Sequence, residues 1–312
     1  GAAISQHGGS NTLRVDGNAG DTATLSDYIN WTNTGTTDIG AVTYNVYTQG
    51  ALTLQVANTV GVPTPASLNL SDLNGSSGFR LDGEAASDRS GWSVSSAGDI
   101  NGDGYDDLII GAVGANNNGG VSGSSYVVFG TGNAFTPTVN LSTLDGTNGF
   151  RLDGEPGDQS GYSVSSAGDV NGDGYDDLII GANQATNNGF GSGSSYVVFG
   201  TASAFASTVN LSTLDGTNGF RLDGEAVNDI SGWSVSSAGD INGDGYDDLI
   251  IGAPYSDPNG GSSGSSYVVF GGAKWGASAQ AGTVGDDTVT GTTGAETLIG
   301  GEGNDTLNGA GG

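Results

Sequence analysis

The sequence predicts an all-β fold centred on repeated four-stranded, propeller-type blades. Three observations carry this. Near-identical segments recur three times, about 70 residues apart: GFRLDGE from Gly78, Gly149 and Gly219; NGDGYDDLIIGA from Asn101, Asn171 and Asn242; SGSSYVVFG from Ser122, Ser192 and Ser263. Each repeat holds four short runs rich in Val, Ile, Tyr and Phe, separated by clusters of Gly, Asn, Asp and Ser. No window has the apolar spacing of a helix.

Taken in order, residues 1–66 lack the repeat but alternate like strands, as in VTYNVYTQGALTLQV from Val42, and are expected to form a separate β-module. Pro63 and Pro65 read as a linker. The repeats then run over about 67–131, 138–201 and 208–272. In the first, strands are expected near Phe79–Leu81, Trp92–Ser96, Asp107–Ile110 and Ser125–Phe129. Four strands per repeat suit a blade; the turns of a stacked solenoid are usually shorter. From Gly282 the period becomes nine: GTVGDDTVT, GTTGAETLI and GGEGNDTLN begin at Gly282, Gly291 and Gly300.

The chain carries 34 acidic and 6 basic residues, a formal net charge of −28. Such a chain cannot neutralise phosphates, so nucleic acid is not an expected partner. No apolar run is long enough to enter a membrane as a helix. With no cysteine there are no disulfides, and stability must come from packing, strand ladders or bound ions.

The acidic residues concentrate in one loop per repeat. In the first, Asp99, Asn101, Asp103, Tyr105 and Asp107 occupy positions 1, 3, 5, 7 and 9. Asp169, Asn171, Asp173, Tyr175 and Asp177 follow in the second, and Asp240, Asn242, Asp244, Tyr246 and Asp248 in the third. Hard oxygen donors at alternate positions, with a glycine for the sharp turn, suit Ca²⁺. The tyrosine would contribute its backbone carbonyl. Without a cation, carboxylates roughly 5 Å apart at an effective dielectric near 20 repel by about 3 kcal/mol per pair. An EF-hand would need an acid at position 12, which here is the apolar Ile110. The same spacing is therefore set between strands. The alternative is a set of Asx–Gly turns with no metal.

SGWSVSSAGDINGDGYDDLIIGA from Ser90, followed by YVVFG, resembles the FG-GAP repeats that build the β-propeller of integrin α chains and of many bacterial extracellular proteins. The resemblance covers all three repeats and implies calcium in each loop. Ser90, Ser160 and Ser231 stand where the family has Phe, and the full Gly-Ala-Pro survives only at Gly252, Ala253 and Pro254. Family propellers close with seven blades, whereas three are present here. A piece of a longer protein, an open arc and assembly in trans all remain open.

The tail, most clearly GGEGNDTLN, resembles the RTX (hemolysin-type) calcium-binding nonapeptide. That resemblance implies a parallel β-roll with Asp287 and Asp305 as Ca²⁺ ligands and Glu296 in place of a third Asp. It also implies type I export from a bacterium.

Catalytic machinery is not expected. The single histidine, His7, lies in a glycine-rich start, so a Ser-His-Asp triad would depend on it alone. The prominent acids recur in every repeat, as structural parts do. Arg80, Arg151 and Arg221 recur with Glu84, Glu155 and Glu225 and are expected to pair with nearby acids. Trp92, Tyr162 and Trp233 share one position and are expected to pack between blades. The repeats differ mainly in two loops: AASDRS, EPGDQS and AVNDIS, and residues 113–122, 183–192 and 254–263. A rigid scaffold with variable loops suits a binding surface for a glycan or a cell-surface protein. The expectation is a calcium-binding, secreted or surface-attached adhesion module of a larger bacterial protein, with a passive spacer or coat repeat as the alternative and a propeller-type hydrolase, resting on paired carboxylates, as the last.

Overall fold

The computed structural model describes residues 3–6, 12–16, 32–39, 42–49, 52–57, 69–273, 275, 280–281, 288–290, 298–299 and 306–308. It divides into two units: residues 1–81 with 133–139, and residues 82–132 with 140–312.

In the first unit, β1 (Ala3–Gln6), β2 (Thr12–Asp16), β3 (Thr32–Ile39), β4 (Val42–Gln49) and β5 (Leu52–Ala57) form a sheet in the order β1-β2-β5-β4-β3. The alternating run from Val42 becomes the antiparallel hairpin β4–β5, closed at Gln49 opposite Leu52. Tyr44, Tyr47, Leu54, Val56 and Ala57 are its buried residues. β6 (Arg80–Asp82) and β10 (Thr138–Asn140), all but the last residue of each in this unit, form a two-stranded sheet. Phe79 stacks on Phe135 there, with ring centroids 4.1 Å apart.

The second unit is a row of propeller-like blades that do not close into one sheet. The first blade contains β7 (Ser90–Gly98), β8 (Asp107–Ala112), β9 (Ser124–Val128) and β11 (Gly149–Asp153), with β15 (Thr208–Asn210) parallel along the outer edge of β11. The second contains β12 (Ser160–Gly168), β13 (Asp177–Ala182), β14 (Ser194–Val198) and β16 (Gly219–Asp223). The third contains β17 (Ser234–Gly239), β18 (Asp248–Ala253) and β19 (Ser265–Val269). Among the described residues there is no α-helix, only single 3-10 turns at Leu70–Asp72, Leu141–Thr143 and Leu211–Thr213.

The GFRLD strand, which opens each repeat in the sequence, closes the sheet of the repeat before it. β11 pairs antiparallel with β9, Phe150 opposite Val127, and β16 pairs with β14, Phe220 opposite Val197. Sheet and sequence repeat are thus offset by one strand. The first copy, β6, pairs only with β10.

The core lies between blades because strand alternation gives each blade two apolar faces. Ala97, Ile100, Ile109 and Val127 of the first blade pack with Val164, Leu178, Ile180 and Val198 of the second. Ala167, Val170, Ile179 and Val197 of the second pack with Val235, Leu249 and Ile251 of the third. The two interfaces share their polar ties. Ser93 Oγ accepts from the Val164 amide at 3.0 Å, and Ser163 Oγ from the Val235 amide at 3.1 Å.

In the tail, β20 (Gln280–Ala281) pairs parallel with β22 (Leu298–Ile299), and β21 (Thr288–Thr290) with β23 (Thr306–Asn308). In both pairs the partner lies two nine-residue periods further along the chain.

Candidate functional site

In all three blades the aspartate loop joins the first strand to the second, so the loops lie at one end of the sheets and the variable loops at the other. Each aspartate loop is organised by its own side chains. Asp99 takes the amides of Asp103 and Gly104 at 3.0 and 2.9 Å, Asn101 Oδ1 takes the Asp103 amide at 2.8 Å, and Asp103 takes the Tyr105 amide at 2.9 Å. The second loop repeats the set with Asp169, Asn171 and Asp173. The third repeats it with Asp240, Asn242 and Asp244. The amides turn the oxygens of positions 1, 3 and 5 into the loop, and Gly104 at φ +88° makes the bend.

Position 9 differs. Asp107, Asp177 and Asp248 are fully buried at the start of the second strand. Asp107 takes the Ile100 and Gly130 amides on its two oxygens at 3.1 and 2.7 Å, and Asp177 takes those of Val170 and Gly200, both at 2.9 Å. Asp248 does the same with Ile241 and Gly271. This residue ties the loop to the turn after the third strand. Burial pushes the Asp107 carboxyl up to about 6 and that of Asp177 up to about 8, opposed by the amide bonds and reinforced by the neighbouring loop aspartates. The exposed Asp240 is instead held below the usual carboxylate range, first by the Gly245 amide.

The donor set of each loop is all oxygen, anionic and close-spaced, which fits a hard divalent cation. Each carboxylate oxygen holding one amide keeps a lone pair for a metal. Among the described residues, no three His, Cys, Asp or Glu side chains are already gathered as a metal cluster. Asp287 and Asp305 lie outside the described residues.

One acid in each loop was not singled out by the spacing argument: position 8. Asp176 Oδ2 takes the Asp99 amide at 2.8 Å, and Asp247 Oδ2 takes the Asp169 amide at 3.0 Å. These carboxylates tie the loop of one blade to the loop before it. The signal in the sequence is the second carboxylate of YDD, present in every repeat with no place in the alternate-position ligand pattern. The tyrosine rings join in: a Cβ on Gly102 would lie 2.3 Å from Cε1 of Tyr175, and one on Gly172 at the same distance from Tyr246.

The recurrent arginines are paired, and across repeats. Arg151 meets Glu84 and Asp153, both at 2.9 Å, while Arg221 meets Glu155 at 3.4 Å and Asp223 at 2.7 Å. The aromatics form a row, Trp92–Tyr162–Trp233, with centroids 5.7 and 4.9 Å apart and rings tilted by 52° in both contacts. At the other end of the blades, the two variable loops of successive repeats bond to each other. Gln159 and Ser160 donate to Val121 and Ser122, and Asn228 and Ile230 to Phe190 and Gly191. Phe190, Val121 and Tyr255 are exposed on this rim.

Residues 90–128, 160–198 and 231–269 match the FG-GAP repeat, so the chain carries three such repeats. It is 32% identical to phosphatidylinositol-glycan-specific phospholipase D of Bos taurus, over 57% of this chain and 21% of that protein. It is 32% identical to integrin alpha-PS5 of Drosophila melanogaster over 55% of this chain and 16% of that protein. With integrin alpha-7 of Homo sapiens the identity is 30%, over 55% and 13%. The chain spans about a fifth or less of the length of these curated relatives.

Proposed function

We propose that this chain is a non-enzymatic, extracellular binding scaffold whose blades are stabilised by Ca²⁺, part of a bacterial secreted or surface protein. The observation that carries the reading is the threefold loop in which amides hold the oxygens of positions 1, 3 and 5 inward. Asp99, Asn101, Asp103 and Asp107 would hold the ion in the first loop, with the Tyr105 carbonyl and water. The second and third loops would do so with their equivalents. When bound, the cation supplies charge neutralisation and nothing catalytic.

Extracellular calcium modules commonly have dissociation constants of about 10⁻⁴–10⁻³ M, so such sites would fill outside a cell and stand empty within it. Calcium would then favour folding after export. The tail fits the same scheme: parallel strands paired two nonapeptides apart support a β-roll of the RTX kind. Asp287 and Asp305 would be its ligands, and type I secretion its export route.

The ligand surface we assign is the variable rim, residues 113–122, 183–192 and 254–263, for a glycan or a cell-surface protein. Phe190 is 74% exposed there. Phospholipase activity is not carried over, because the alignment covers 21% of that enzyme. The test is a glycan and cell-surface binding screen with the native chain and with a variant whose three loops are replaced by Gly-Ser linkers of equal length. Binding lost with the loops supports the module. Binding by neither protein favours the passive spacer.

A further inference from the structure

We propose that copies of this chain join head to tail, the strand β6 of one copy adding to the outer edge of β19 of another. The first and second blades each take their fourth strand from the repeat that follows, which leaves the row with unmatched ends. At the back, the third blade is three-stranded, and among the described residues no strand lies on the outer edge of β19. At the front, β6 carries the fourth-strand sequence GFRLD but has β10 alone beside it. Its later copy β11 has β15 parallel on one edge and β9 antiparallel on the other. The edge of β6 that corresponds to β9 has no strand among the described residues.

The register follows from the two internal pairings. β11 and β16 set their Gly-Phe-Arg-Leu-Asp opposite Val-Val-Tyr-Ser-Ser of β9 and β14. The same rule places Phe79 opposite Val268, Arg80 opposite Tyr267 and Leu81 opposite Ser266 of a second copy. The side chains fit. Phe150 and Leu152 are buried with Ile109 and Val127, whereas the equivalent Ile250 and Val268 of the third blade are 38% and 45% exposed. Phe79 and Leu81 of the incoming strand would extend this apolar face, and the first blade of the same copy would cover it as the second blade covers Ile109 and Val127.

Charge agrees. Glu84 takes Tyr126 Oη and Arg151, and Glu155 takes Tyr196 Oη and Arg221. Glu225 takes Tyr267 Oη at 2.9 Å and, among the described residues, has no arginine. Arg80 of the second copy would complete the set. The contact is heterologous, so it propagates into larger oligomers unless it closes into a ring.

Analytical ultracentrifugation of the full chain over a hundredfold concentration range tests this. We expect concentration-dependent association, weakened roughly tenfold or more by Arg80→Glu or by Glu225→Arg and regained in the double swap. The chain has no cysteine, so register can be read directly. Equimolar Leu81→Cys and Ser266→Cys variants should give a mixed disulfide dimer on mild oxidation, at a yield well above the like-with-like dimers of either alone. A chain that stays monomeric throughout, or a mixture with no preference for the mixed disulfide, overturns the proposal. So does a Leu81→Cys/Ser266→Cys double variant that closes within one chain.

Discussion

The second and third blades have nearly the same sequence and very different surfaces. Val170, Ile179, Val197 and Phe199 are buried in the second blade, the first three completely. Their counterparts Ile241, Ile250, Val268 and Phe270 are 57%, 38%, 45% and 50% exposed. The aspartate loops and the pairing of the second and third strands recur, so the difference comes from what the third blade lacks among the described residues: a fourth strand and a blade over its outer face. A blade folds by its own pattern but is stabilised by the blade that covers it. This is how repeat arrays distribute stability, as unit terms plus interface terms.

The largest break in this comparison should come from the covered face. Ile179→Ala should cost about 2–5 kcal/mol, because it leaves a cavity between two blades. Ile250→Ala should cost about 1 kcal/mol, since its site is already partly open to water. Denaturant midpoints would measure both, and equal costs would show that the faces are not distinguished by their neighbours.

A glycine pair sharpens the same point. Gly168 and Gly239 have φ of +72° and +64°, so alanine strains either backbone alike. A Cβ on Gly168 would lie 2.1 Å from Asp247 Oδ2, while one on Gly239 meets nothing within 4 Å. Gly168→Ala should therefore cost about 1–3 kcal/mol more than Gly239→Ala.

The titration of the buried loop acids gives the next effect. Asp107 and Asp177 have folded values near 6 and 8, above the ordinary 3.8. Their contribution is fully present below pH 3.8 and is lost as pH rises through about 6 and then about 8. In chelator, the urea midpoint should fall between pH 5 and pH 8.5. Calcium should flatten or reverse that slope by stabilising the ionised carboxylates. A slope unchanged by calcium would place the ion elsewhere.

A smaller effect is expected from one loop at a time. Asp169→Asn or Asp240→Asn should remove about 1.4 kcal/mol of calcium-linked stability at tenfold excess over Kd, beyond the loss in chelator from the amide bonds of the replaced oxygen. Smallest is Arg221→Ala, whose ion pairs are over a third exposed on the arginine side and should contribute less than about 1 kcal/mol.

The repeat, the strands and the loop spacing are legible in the sequence because each depends on local pattern. Asp107–Ala112 extends the expected third strand by two residues, and Ser124–Val128 is the expected fourth strand begun one residue earlier and ended one earlier. The sheet to which GFRLD belongs is not legible: a periodic sequence has no mark for where one blade ends and the next begins. Pairing between residues such as Phe150 and Val127 supplies that mark. Nor did spacing separate the roles of the aspartates. Asp103 and Asp107 are both acids at odd loop positions, yet one lies in the exposed loop and the other is buried with two backbone amides on its carboxylate. Asp176 was missed because its partner, the Asp99 amide, lies in the preceding blade.

The central claim is that the three loops are calcium sites, and a thermal melt of the full chain in millimolar Ca²⁺ and again in excess chelator tests it most directly. The account predicts a clearly higher Tm with calcium, reduced stepwise as Asp99, Asp169 and Asp240 are replaced by Asn. Coincident melting curves in the two buffers would contradict it.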